Sequence, residues 1–116
     1  MDVPTLLMTG VAGFFGYKIL RGMLGKVAPD KARKLVDDGA RLLDVRTPGE
    51  HRSGHIKGSL NVPVQDLGRR MDELGDKAKP IVVYCASGMR SASAKSMLER
   101  AGFTQVFDLG AMSRWG

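Results

Sequence analysis

The sequence predicts an α/β fold: a small parallel sheet flanked by helices, preceded by an apolar N-terminal helix. Three observations carry that prediction. Short apolar runs alternate with helical patterns from Pro29 onward. The run Ile81-Val82-Val83-Tyr84 is continuously apolar, as a central strand covered on both faces requires. Turn residues punctuate the alternation at Gly39, Gly75, Pro80 and Gly102. The 116 residues suffice for one domain with a real core, without disulfides or metal.

Each element follows from its residues. Pro29-Asp30 opens a helix, with proline suited to the first turn. Ala32, Leu35 and Val36 face inward, and Gly39 ends it. Ala40 to Val45 is a strand that carries Asp44 at its C-terminal end. Thr47-Pro48-Gly49 reads as a turn, and Glu50 to Gly58 as a loop or short helical turn. Ser59 to Val62 is a second short strand. Val64, Leu67, Met71 and Leu74 lie three or four apart and predict a helix over Val64 to Leu74. Gly75 to Pro80 is a loop before the central strand. Ala94, Met97, Leu98 and Ala101 form the inner face of the next helix, Ser91 to Ala101. Gln105 to Leu109 is the last strand.

The segment Cys85-Ala86-Ser87-Gly88-Met89-Arg90 joins the central strand to that helix. It places the chain's one cysteine at a strand tip and at the mouth of a helix. Helix N-termini present unpaired N–H groups and a partial positive charge. Thiols at such positions ionise more readily, and the thiolate is the nucleophile. Ala86, Ser87 and Gly88 are small enough for the backbone to curl into an anion-holding cradle. Arg90 adds a permanent positive charge beside it. The plain alternative is a buried, inert cysteine at a strand end; the Gly and Arg of the loop weigh against it. Ligands of parallel sheets bind beyond the carboxyl ends of the strands, where both Asp44 and Cys85 fall.

The Cys-x-x-Gly-x-Arg-Ser loop after a Val-rich strand resembles the active-site loop of the rhodanese family. A second stretch, Leu42-Leu43-Asp44-Val45-Arg46-Thr47-Pro48-Gly49-Glu50-His51, then Gly54-His55-Ile56-Lys57-Gly58-Ser59-Leu60-Asn61-Val62-Pro63, resembles that family's upstream signature almost position by position. A third, Leu109-Gly110-Ala111-Met112-Ser113-Arg114-Trp115, is similar to its closing Gly-Gly-x-x-x-Trp. The resemblance covers Pro29 to Gly116. Two positions depart from it: His51 stands where an aromatic is commoner, and Ala111 replaces the second glycine.

The resemblance implies sulfur transfer. Cys85 would take the outer sulfur of a small anionic donor such as thiosulfate, becoming a persulfide. Cyanide or a thiol would then remove that sulfur, a double displacement. The N–H groups of residues 86 to 90 would hold the anionic terminal sulfur. No metal or organic cofactor is implied. Related phosphatase and arsenate-reductase loops also pair Cys with Arg, but commonly with five intervening residues. Here four lie between Cys85 and Arg90, a tighter ring that suits a single sulfur. A non-catalytic binding or sulfur-carrier module is the other alternative.

Two readings are open for Asp44, Arg46 and Glu50, catalytic and structural. Charges crowded at a strand end usually pair with one another, so the favoured reading is that they support the site structurally through an Arg–carboxylate fork. His51 and His55 lie four apart, but Gly54 and the lack of a third ligand speak against a metal. His55 is expected to fix its loop by hydrogen bonding, and Trp115 to serve as a core or lid residue.

Composition sets further bounds. One cysteine excludes an internal disulfide and fits a reducing compartment. The formal charge of +6 comes without a basic block interleaved with aromatics, so nucleic acid is not an expected partner. A basic surface can instead steer an anionic substrate, or be no more than a solubilising charge excess, and the two readings stand level.

Residues 1–27 form an apolar segment and linker, and residues 28–116 the domain. Val3 to Tyr17 carries no charge, which makes a poor surface helix. That run is shorter than the roughly 20 residues of a membrane span. Extension to Leu24 reaches that length if Lys18 and Arg21 snorkel. Membrane anchoring, docking on the domain and partner binding are the three readings of residues 3–24. No basic residue precedes the apolar part, which speaks against a secretory signal. Lys18, Arg21 and Lys26 follow it and would keep the domain at the cytoplasmic face. The spacing Thr9-Gly10-Val11-Ala12-Gly13-Phe14-Phe15-Gly16 resembles a dinucleotide-binding turn, but the rest of that fold is missing.

Overall fold

The computed structural model describes residues 25–116, so the expectations for residues 3–24 fall outside the described residues. The elements are α1 (Pro29–Asp37), β1 (Arg41–Asp44), α2 (Pro48–Ser53), β2 (Leu60–Asn61), β3 (Ile81–Cys85), α3 (Met89–Arg100) and β4 (Val106–Ala111). The four strands form one parallel sheet in the order β2-β1-β3-β4. Lys26 adds an isolated parallel bridge to Asp108 at the β4 edge.

Each face of the sheet buries its own core. Leu43, Val83 and Cys85 pack with Leu67, Ala94 and Leu98 on the α3 side. Leu42, Val82 and Tyr84 pack with Ala32 and Leu109 on the α1 side, where Trp115 also covers the core. Successive residues of β3 therefore serve opposite faces. All five residues of β3 are buried, which is why its apolar run is continuous rather than alternating.

Two elements differ from the sequence expectation. Residues 64–74 are not one α-helix but two 3₁₀ segments, Val64–Arg69 and Met71–Leu74, broken at Arg70. Arg70, at φ −120°, leaves helical geometry and separates Val64 to Leu67 from Met71 to Leu74, two three-residue spacings that fit a 3₁₀ repeat as well as an α-helical one. Leu67 and Leu74 are buried. The second difference is at the start of α2: Thr47-Pro48-Gly49 reads as a turn and Glu50 to Gly58 as a loop or short helical turn, and the helical turn forms, beginning at Pro48 within the expected turn. Thr47 caps it: its hydroxyl accepts from Glu50 N–H at 3.2 Å, and Glu50 Oε1 accepts from Thr47 N–H at 3.0 Å. This capping box, with Pro48 in the first turn, starts a helix that Gly49 alone would discourage.

Candidate active site

β3 delivers Cys85 to the floor of the loop that leads into α3. The residue is wholly buried, and its sulfur accepts hydrogen bonds from Gly88 N–H at 2.9 Å and Ser91 N–H at 3.3 Å. The Ser91 hydroxyl lies 3.5 Å from the sulfur and donates to Gly88 O at 3.1 Å. Gly88 is left-handed, with φ 101°, a conformation that L side chains rarely adopt. That bend turns its N–H back to the sulfur. α3 starts at Met89, two residues earlier than the spacing suggested, so the sulfur sits at the helix mouth itself.

The loop residues divide in two. Gly88 enters the cradle, whereas Ala86, Ser87 and Met89 face solvent. Met89 is 81% exposed, so its side chain lines the rim rather than the floor. Ser91, absent from the sequence-derived site, supplies the second N–H. The signal for it was the Ser after Arg90 in the loop motif.

Arg90 is held by Glu50. Its NH1 donates to Oε1 at 2.7 Å and its NH2 to Oε2 at 2.9 Å. The two motifs thus meet through α2 and α3, a link made by Glu50 rather than by Asp44. The Arg90 hydrogen bonds draw the Glu50 carboxyl from its ordinary value near 4.5 down to about 2. Because the folded-state value is lowered, the pair stabilises the fold above about pH 4.5 and that contribution disappears as pH falls to about 2. Both side chains are about one-third exposed, so solvent limits the effect to ~1 kcal/mol or less. Urea unfolding of wild type and Glu50→Gln between pH 5 and pH 2 checks this. The wild type should lose more stability across the window. Parallel curves would show that the pair contributes nothing.

Asp44 and Arg46 lie together, on the Tyr84 side of the sheet and not beneath Cys85. Asp44 Oδ1 accepts from Arg46 N–H at 2.9 Å and Arg46 Nε at 3.0 Å. Oδ2 lies 2.8 Å from Arg46 NH2, 2.8 Å from His51 Nδ1 and 3.1 Å from the Tyr84 hydroxyl. Burial pushes the Asp44 carboxyl up, but the hydrogen bonds from Arg46 and His51 outweigh it and leave the carboxyl below its ordinary range. Burial, above all, raises Tyr84, so the phenol keeps its proton and donates it to Asp44. Ser59 then donates to the phenol oxygen at 2.9 Å, as does Ile56 N–H at 3.1 Å. Arg46 also reaches Gly54 O at 2.7 Å, tying down the end of α2.

His51 and His55 stack face to face with centroids 3.7 Å apart. His55 Nδ1 lies 2.8 Å from His51 O, a hydrogen bond that fixes the loop as expected. Among the described residues no cluster has the makings of a metal site. At the other motif departure, Gly110 is the residue with positive φ, 83°, whereas Ala111 has an ordinary extended φ of −69°. A side chain is therefore accepted at Ala111.

Comparison with known proteins places this geometry. YqhL of Bacillus subtilis, a protein of no assigned activity, is 38% identical over 78 residues, covering 66% of this chain and 61% of its own length. The thiosulfate sulfurtransferase GlpE of Pseudomonas paraeruginosa is 33% identical over 93 residues, covering 78% of this chain and 82% of its own. Among solved structures, the human single-domain sulfurtransferase TSTD1 aligns with a TM-score of 0.70 at 28% identity, covering 78% of this chain and 93% of its own. A rhodanese with anions from Escherichia coli aligns with a TM-score of 0.63 at 30% identity, covering 66% and 91% respectively. The family model of the rhodanese-like domain matches residues 28–116, and the chain belongs to that family.

Proposed function

We propose that the protein transfers sulfane sulfur from a donor such as thiosulfate to a thiophilic acceptor, through a persulfide on Cys85. The observation that carries this reading is the pair of N–H groups, from Gly88 and Ser91, directed at Cys85 Sγ. They already point at that sulfur in the resting fold, so an anionic sulfur there would be met by donors that need no rearrangement.

In the first step the Cys85 thiolate attacks the outer sulfur of thiosulfate. An S–S bond forms at Cys85, the S–S bond of thiosulfate breaks, and sulfite leaves with the electron pair. The transferable sulfur then sits one S–S bond, about 2.05 Å, from Sγ. In the second step cyanide or a thiolate attacks that outer sulfur. Sγ departs as thiolate and the enzyme returns to its starting state. Glu50 keeps the Arg90 guanidinium at the rim, where it serves a small anionic donor as a charge-assisted hydrogen-bond donor.

Intact mass measured after incubation with thiosulfate tests the reading. The protein should gain one sulfur atom, and cyanide should remove it. A mass unchanged by thiosulfate, together with no thiocyanate formed, would overturn it. Phosphate esters and arsenate should give no turnover, because four residues between Cys85 and Arg90, against the commoner five, make a tighter ring that suits a single sulfur better.

A further inference from the structure

Lys26 lies ahead of all three sequence motifs, in a stretch that reads as a linker. In the fold its ammonium group reaches the nucleophile loop. Nζ lies 2.6 Å from Asp108 Oδ2 on β4 and 3.3 Å from Gly88 O. The pair is largely removed from water, with the side chains 23% and 4% exposed. Each part of this arrangement is itself fixed. Asp108 Oδ1 accepts from Gly110 N–H at 2.8 Å, and Val27 N–H donates to Asp108 O at 2.7 Å. The Lys26 stem packs on Gly110, where an added Cβ would lie 3.3 Å from Cδ.

The target of this clamp matters. Gly88 is the residue whose N–H touches Cys85 Sγ, and it has no side chain to hold its left-handed backbone in place. Its carbonyl accepts from Ser91 Oγ and from Ala92 N–H at 3.2 Å within α3. Lys26 supplies a third hold, from outside the helix and with a full charge. Fixing the carbonyl restrains the torsion on one side of the Gly88 Cα, and so the aim of the N–H on the other.

We propose that Lys26, seated by Asp108, is a positioning residue that keeps Gly88 N–H aimed at Cys85. The proposal rests on Cys85 being the nucleophile, but its test does not need sulfur transfer. Cys85 is the chain's one thiol, so alkylation by iodoacetamide reports on that sulfur alone.

The full chain is tested as wild type, Lys26→Met, Lys26→Arg and Asp108→Asn. Methionine keeps an apolar stem against Gly110 and removes the charge. Lys26→Met should slow Cys85 alkylation at pH 7 by about tenfold, the effect of losing one charge-assisted hydrogen bond. In the thiosulfate assay it should lower kcat by about the same factor and leave KM for thiosulfate within about twofold, since the lost contact positions the nucleophile and not the donor. Lys26→Arg should restore most of both rates. Asp108→Asn should act in the direction of Lys26→Met, because it unseats the ammonium. If Lys26→Met alkylates and turns over like wild type, with only its melting temperature lowered, Lys26 is a strut for the sheet edge and the proposal fails. If Lys26→Met does not fold, Asp108→Asn decides, and a wild-type alkylation rate in it would overturn the proposal. If wild type takes up no sulfur from thiosulfate, the sulfurtransferase reading fails, and the alkylation rates still decide the role of Lys26.

Discussion

Replacing Cys85 with serine should abolish thiosulfate:cyanide sulfur transfer and leave the fold intact. Loss of a covalent nucleophile that acts with its surroundings as a unit costs on the order of 10⁴-fold or more in turnover. No second thiol in this chain can substitute for it. Serine should be accommodated because its hydroxyl can receive the same two hydrogen bonds, from Gly88 N–H and Ser91 N–H, that the sulfur receives now. The site would therefore contain no new unsatisfied polar group, and unfolding by urea should change little. Thiocyanate production and intact mass after thiosulfate are the measurements. Turnover by the serine variant comparable to wild type would sink the persulfide mechanism. Complete loss of folding would instead mark Cys85 as a packing residue.

The largest expected loss of stability is at Asp44. Its carboxylate is fully buried and compensates Arg46, itself only 6% exposed, while also meeting His51 and Tyr84. Asp44→Ala removes the acceptor and leaves a buried guanidinium, an imidazole and a phenol without it. Breaking one side of such a pair costs ~3–5 kcal/mol. The same network anchors the end of α2 through Arg46 to Gly54 O, and the approach to β2 through Ser59. The damage should reach both. Equilibrium urea unfolding measures the loss, and Asp44→Asn provides a shape-matched control that should also be destabilised, because an amide presents donors to donors. A loss under ~1 kcal/mol in both variants would show that water replaces the carboxylate, against the observed burial.

The parts of this fold that repeat a simple period could be read from the chain. Ile81 to Tyr84 announces a central strand, Ala94 and Leu98 announce the buried stripe of α3, and the Cys-to-Arg loop falls between them. What escaped reading depends on where a side chain's polar end goes. Tyr84 reads as one more apolar residue in a strand, yet its phenol is an organising point of a buried polar cluster. Glu50 reads as one charge in a loop, yet it caps α2 and holds Arg90 across a separation of 40 residues. Lys26 and Asp108 are 82 residues apart, and no local pattern couples them. The spacing of Val64, Leu67, Met71 and Leu74 identified the inward face correctly. It was silent on whether the turns close after three residues or four, because both patterns bury the same side chains.

The alternation along β3 has a consequence for variation. Tyr84 belongs to one core and its immediate neighbour Cys85 to the other, so the residues that brace the upstream loop and the residue proposed to carry sulfur share a backbone but few neighbours. Above Cys85, the side chains of Ala86, Ser87 and Met89 turn to solvent and support neither core. These three positions can be exchanged as a set without disturbing the buried framework. The rim of the loop can then vary, or be searched in a combinatorial library, while folding stability stays nearly constant.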